Sequence, residues 1–155
     1  MIKSTKLFAG FPCTHRAWRS EGHCRFIHGY NRSFHFTFIC NQTDENGWVM
    51  DFGGLKKVRA FLNFYFDHTF LIAEDDPELE LFKEMDKKGI VQLRILPNTS
   101  MEGTARYVLK EVQNIISTIV KDRVVLIEKL EVMENEKNSS IIVSDENIRN
   151  LICKN

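Results

Sequence analysis

The chain has 155 residues, 43% of them hydrophobic, and its 21 basic side chains balance its 21 acidic ones. That apolar share is enough for one core of ordinary size. The zero net charge argues against a general binder of nucleic acid or membrane surface, because either needs a basic excess. The four cysteines (Cys13, Cys24, Cys40, Cys153) form no CxxC pair and read as reduced thiols of a cytoplasmic protein. No run reaches the roughly 18 apolar residues of a membrane span.

In chain order, residues 4–11 read as a strand in which Leu7, Ala9 and Phe11 share a face, with His15 on the same parity beyond Pro12. A polar loop follows, over Arg16–Gly22. Residues 28–40 carry the strongest strand pattern: Phe34, Phe36, Phe38 and Cys40 alternate with His35, Thr37 and Ile39. Extending that parity backward puts His28 and Tyr30 on the phenylalanine side. Asn46-Gly47 reads as a hairpin turn into a returning strand over 47–51.

Leu55, Val58, Leu62 and Tyr65 recur at helical spacing. Asp75-Asp76-Pro77 has the form of a helix start with Pro at the first position, and Leu81, Phe82 and Met85 form that helix's buried face. Val91, Leu93 and Ile95 alternate as a strand. Thr99-x-x-Glu102 has the pattern of a capping box, followed by a long apolar stripe from Ala105 to Ile119. Val124–Glu134 is a strand with Leu130, Val132 and Glu134 on one side, and Ser140–Val143 returns antiparallel to it. The order implies an α+β fold, helices packed on one face of an antiparallel sheet. One domain is expected over residues 1–143, with a polar tail of a helical turn or two over 144–155.

Between the first two strands, His15, His23, Cys24 and His28 fall within fourteen positions. Imidazole and thiolate are the common side chains for zinc binding and for proton transfer near neutral pH, so this stretch is the candidate site. Each residue also has a plainer reading. His23 is an ordinary loop histidine by default, Cys24 could be an inert thiol, Asp67-His68 a simple helix end, and Glu102 a cap.

Six segments, in order, resemble the 6-pyruvoyltetrahydropterin synthase / 6-carboxytetrahydropterin synthase family. They are Phe11-Pro-Cys-Thr-His15, Cys24-Arg-Phe-Ile-His28-Gly-Tyr30, Val49-Met-Asp-Phe52 with Leu55-Lys56, Phe66-Asp67-His68, Ser100-Met-Glu102-Gly103 and Val132-Met-Glu134-Asn135. The resemblance implies the tunnelling fold, with subunits joined as trimers or hexamers into oligomeric barrels and sites at subunit interfaces.

It also implies a zinc-dependent carbon–oxygen lyase acting on 7,8-dihydroneopterin triphosphate. The bacterial Cys-x-x-x-His spacing favours 6-carboxytetrahydropterin synthase, a step toward deazapurines such as queuosine. The pyruvoyl-forming activity is the alternative enzyme. In this scheme Cys24 is the base, Asp67 and His68 are a proton relay, and Glu134, supported by Glu102 and Ser100, holds the pterin. His15 and His28 bind zinc.

The family's third metal histidine is here Tyr30, whose phenol ligates less readily. Either Tyr30 binds as phenolate, or His23 substitutes, or the protein is a pterin-binding module with an impaired metal site. Arg16, Arg19, Arg25, Lys56 and Lys57 are the candidates for triphosphate.

Overall fold

The computed structural model describes residues 2–145; the expected helical turns of the tail fall outside them. Six strands form one sheet: β1 (Lys3–His15), β2 (His28–Cys40), β3 (Thr69–Ala73), β4 (Leu93–Leu96), β5 (Val125–Met133) and β6 (Ser139–Val143), in the spatial order β4-β3-β1-β2-β5-β6. Three α-helices accompany it: α1 (Lys56–Phe66), α2 (Leu79–Lys87) and α3 (Met101–Ile119). None is long and apolar enough to cross a membrane.

The α+β class is as expected, and the segment β1-β2-β5-β6 is antiparallel. The sheet as a whole is mixed, because β3 pairs parallel with β1 and β4 parallel with β3. All five residues of β3 are buried. A strand covered on both faces reads as a continuous apolar run and not as an alternation, so a period-two pattern does not mark it. Leu71 joins the main core, while Phe70 and Ile72 pack with Phe82 of α2 in a separate cluster. Adjacent strand residues point to opposite faces, so α2 covers the face opposite to α1 and α3 rather than joining them.

The main core lies between the sheet and the apolar stripes of α1 (Val58, Leu62, Phe66) and α3 (Ala105, Val108, Val112, Ile116). Phe34, Phe36 and Phe38 are all fully buried there, each contributing about 1.5–3 kcal/mol of transfer free energy.

In β1 the expected parity reverses. Phe8, not Leu7, is buried, and Leu7 is 49% exposed. The pairing of β1 with β2 slips between Phe8 and Phe11, where Gly10 takes φ +87°. One extra residue in a strand shifts every preceding side chain to the other face. Gly10 therefore puts Phe8 and, beyond the bulge, Phe11, Cys13 and His15 all inside. Gly10→Ala is expected to cost about 1–2 kcal/mol, the price of a left-handed residue with a Cβ, read as a lower midpoint in denaturant unfolding. A Cβ there meets nothing within 4 Å, so the loss is conformational and not a clash.

Three further local expectations are corrected. Residues 47–51 are not a strand: the Asp44 carboxylate accepts the Asn46 and Trp48 amides and its carbonyl accepts that of Gly47, turning the chain so that Val49 and Met50 enter the core irregularly. The second helix begins at Leu79, not Pro77, because Asp76 is buried as an ion-pair partner and accepts the Glu78 amide in a turn; its inward face is Leu79, Phe82 and Met85, and Leu81 is exposed. The cap of α3 is Ser100, whose hydroxyl accepts the Gly103 amide at 3.0 Å. Thr99 instead donates its hydroxyl to the Arg16 carbonyl, so no Thr99–Glu102 box forms.

Candidate functional site

The ends of β1 and β2 are in direct register: His15 faces His28, Cys13 faces Tyr30 and Phe11 faces Arg32. Side chains directly opposite on one face have Cβ atoms about 5 Å apart. Gly29 permits the close approach, since a Cβ there would stand 3.2 Å from the Cys13 carbonyl oxygen. The strand pairing thus gathers His15, His28 and Tyr30. Their ring centroids are 4.4 Å apart for His15–His28, 5.5 Å for His28–Tyr30 and 6.1 Å for His15–Tyr30.

Glu134, immediately after β5, points to the same place. Its Oε1 is 3.9 Å from His15 Nε2, and its side chain is mostly buried. That distance is too long for a hydrogen bond but close enough for the charge to act.

His15 is buried. Burial, reinforced by the positive field of Arg32 and by His28, lowers its pKa from the ordinary 6.5 to about 3. It is therefore a neutral imidazole near pH 7, the form that carries a free lone pair. Its Nδ1 is buried without a hydrogen-bond partner among the described residues. His28 Nδ1 contacts the Phe26 carbonyl at 2.7 Å. A carbonyl can only accept, so Nδ1 carries the proton and Nε2 is left as the lone pair, the arrangement that orients metal-ligating histidines.

Among the described residues no group of three or more His, Cys, Asp or Glu side chains converges on a metal position. The donor set is two imidazoles with the Tyr30 phenol. By donor chemistry the set would suit a zinc ion, and the buried His15 Nδ1 is left without a partner among the described residues. It is one imidazole short of the three-histidine set of open zinc sites.

The remaining expected site residues make no hydrogen bond or ion pair with this cluster among the described residues. Cys24 lies in the exposed 3-10 turn His23–Arg25, and His23 beside it is also exposed. The carbonyl of Cys24 accepts the Ala17 amide at 2.8 Å, which closes the loop. That loop is clamped to the turn before α2. Arg16 makes a two-pronged contact with Asp76, both bonds 2.7 Å, and Arg19 and Trp18 donate to Asp75. Asp75 is accordingly held below the usual carboxylate range. Arg16 and Arg19 are thus already committed to carboxylates, whereas Arg25, Lys56 and Lys57 are exposed with no ion pair among the described residues.

Asp67 and His68 follow α1, with His68 Nδ1 donating to Asp67 Oδ1 at 2.7 Å. His68 takes φ 55°, uncommon for a side-chain-bearing residue. Its amide donates to the Pro12 carbonyl, which fixes it beside β1. It lines a cleft of about 550 Å³ with Cys13, Tyr30, Asn31, Phe70 and Gln92. Within one chain no hydrogen bond or ion pair joins Cys24 to Asp67–His68, among the described residues. Ser100 is occupied as the α3 cap and Glu102 is exposed in the first turn of α3.

The residue that sequence reasoning missed is Arg32. It is fully buried, next in the face series after His28 and Tyr30. A charged residue at a core-facing position of a strong alternation was the available signal. Its Nη1 donates to Thr104 Oγ1 at 2.8 Å and its Nη2 to the Thr99 carbonyl at 3.1 Å, tying β2 to the start of α3.

Residues 5–145 match the family described as 6-pyruvoyl tetrahydropterin synthase. The chain belongs to that family. Among curated relatives, 6-carboxy-5,6,7,8-tetrahydropterin synthase of Rickettsia typhi is 34% identical over 80 residues, 51% of this chain and 57% of the relative. A probable enzyme of the same name from Halobacterium salinarum is 32% identical over 57% of each chain. The chain thus aligns with little more than half the length of these relatives. Solved structures share the fold. An uncharacterised Wolinella succinogenes protein superimposes with a TM-score of 0.79 at 18% identity, covering 93% of this chain and 98% of its own. The Plasmodium vivax 6-pyruvoyl tetrahydropterin synthase does so at 0.65 and 19%, covering 94% and 99%.

Proposed function

We propose that this family member is a lyase that converts 7,8-dihydroneopterin triphosphate to 6-carboxy-5,6,7,8-tetrahydropterin, a deazapurine precursor on the queuosine route, in the cytoplasm. The observation that carries this reading is the cluster of His15, His28 and Tyr30 beside Glu134, with His15 neutral and one of its nitrogens unpartnered. The relatives named for this activity support it.

His15, His28 and Tyr30 would hold zinc, with exposed His23 the weaker alternative to Tyr30. Bound there, zinc would supply a Lewis acid to the hydroxyl oxygens of the substrate side chain, making the neighbouring carbon-bound protons removable. Cys24 would accept the first proton as thiolate. Asp67 would hold the His68 ring in the tautomer that passes the second. The Glu134 carboxylate would accept the paired N–H groups of the pterin edge, with Ser100 and Glu102 in support. Arg25, Lys56 and Lys57 would meet the triphosphate. In this scheme a second copy, in a trimer or hexamer, would bring further residues to the site.

The pyruvoyl-forming activity is the alternative, and a product assay separates the two. The carboxy route breaks a carbon–carbon bond and releases acetaldehyde; the pyruvoyl route keeps all three side-chain carbons. We expect acetaldehyde in step with triphosphate release. Triphosphate without acetaldehyde would favour the pyruvoyl product. Pterin binding without either would favour the pterin-binding module, the reading that the phenol at position 30 supports.

A further inference from the structure

Arg32 places a fixed cation next along β2 from the candidate metal site. It lies on the same face of β2 as Tyr30 and His28, and successive same-face residues of a strand are about 7 Å apart. Its fork is pinned on the far side by Thr104 and the Thr99 carbonyl, both buried, so the charge cannot swing to solvent. Its Nε is buried with no hydrogen-bond partner, and no carboxylate ion pair reaches it among the described residues. Arginine stays protonated in such places. Across the strand pair Arg32 faces Phe11 while His28 faces His15, and the Glu134 carboxylate stands 3.9 Å from His15, so the two opposite charges flank the same cluster.

A site of low dielectric transmits such a charge strongly. A divalent cation at His15 and His28 would feel Arg32 as repulsion and Glu134 as attraction. We propose that Arg32 is a positioning residue that weakens metal binding at the His15–His28–Tyr30 site, with Glu134 as its counterweight. The substitution of a phenol for the third imidazole and the guanidinium next along the strand then act in the same direction: this site holds its ion loosely. The inference rests on the metal reading above but not on the identity of the product.

The test is the zinc dissociation constant of the full-length protein, by competition with a chromophoric chelator, for wild type, Arg32→Met, Arg32→Lys and Glu134→Gln. Thermal unfolding of each checks folding. Arg32→Met should tighten zinc at least tenfold, Arg32→Lys should stay within about threefold of wild type, and Glu134→Gln should weaken zinc about tenfold, in keeping with charge coupling at short range. A purely structural tie between β2 and α3 would change unfolding without this ordering. Zinc bound by Arg32→Met but not by wild type would also support the proposal. If Arg32→Met does not fold, Glu134→Gln decides: unchanged affinity overturns the proposal. Equal affinity in wild type and Arg32→Met overturns it while leaving the metal reading intact. No zinc in any variant overturns both. A lost product with the affinity ordering preserved would overturn only the proposed reaction.

Discussion

Cys24→Ala is expected to lower kcat by at least ~100-fold, the lower end of what a positioned general base contributes, while leaving thermal unfolding unchanged. The two halves of that expectation come from one observation. Cys24 is exposed and, among the described residues, its side chain makes no hydrogen bond; its backbone carbonyl accepts the Ala17 amide, and alanine retains that bond. Removing the sulfur therefore costs no packing. It removes the only thiol of the His23–Arg25 turn, the segment that leads into His28 and Tyr30. Initial rates with dihydroneopterin triphosphate and a melting curve check both halves. Full turnover in the variant would remove Cys24 from the mechanism.

Asp76→Ala is expected to lose about 2–3 kcal/mol of stability and, with it, activity. The Asp76 side chain is fully buried, accepts two bonds from Arg16 at 2.7 Å, and accepts the Glu78 amide at 2.9 Å. Breaking one partner of a fully buried pair costs about 3–5 kcal/mol; Arg16 retains 19% side-chain exposure and recovers part of its hydration, which lowers the figure. The functional consequence follows from position. Arg16 begins the loop that ends at Cys24, and losing its anchor would let the proposed base drift. A tenfold fall in kcat/KM is expected, since small displacements of a reacting group already cost that much. Asp75→Ala is the control: Asp75 and Arg19 are both largely exposed, and screening leaves such pairs little weight. Urea unfolding with parallel rates on the two variants separates the cases. Equal effects would mean that the clamp is not what orders the loop.

The parts of this fold that can be read in the sequence are those with a clean period. The alternation Phe34-Phe36-Phe38 fixes the face of β2 and, by extension, puts His28 and Tyr30 on the site side, where the structure has them. Arg32 shares that parity, and the strength of the apolar pattern around it conceals a buried charge. The face of β1 is misread because parity cannot be carried across a bulge; Gly10, a glycine inside an apolar run, was the mark of one. Strand β3 escapes because both of its faces are covered. Asp76 resembles a cap because a cap and a buried ion-pair acceptor are the same side chain, distinguished only by whether Arg16 reaches it. The register that brings His15 opposite His28 depends on pairing between strands separated by a loop, and local periodicity does not determine it.

Zinc per chain is the decisive quantity, measured in protein purified without added zinc or chelator and again after zinc addition, for wild type and His28→Ala. About one zinc per wild-type chain is expected once zinc is supplied, as for a site built on two imidazoles and a third donor, and its loss is expected in His28→Ala. No zinc in either protein, even after addition, would contradict the metalloenzyme reading and leave a pterin-binding module built on the same fold.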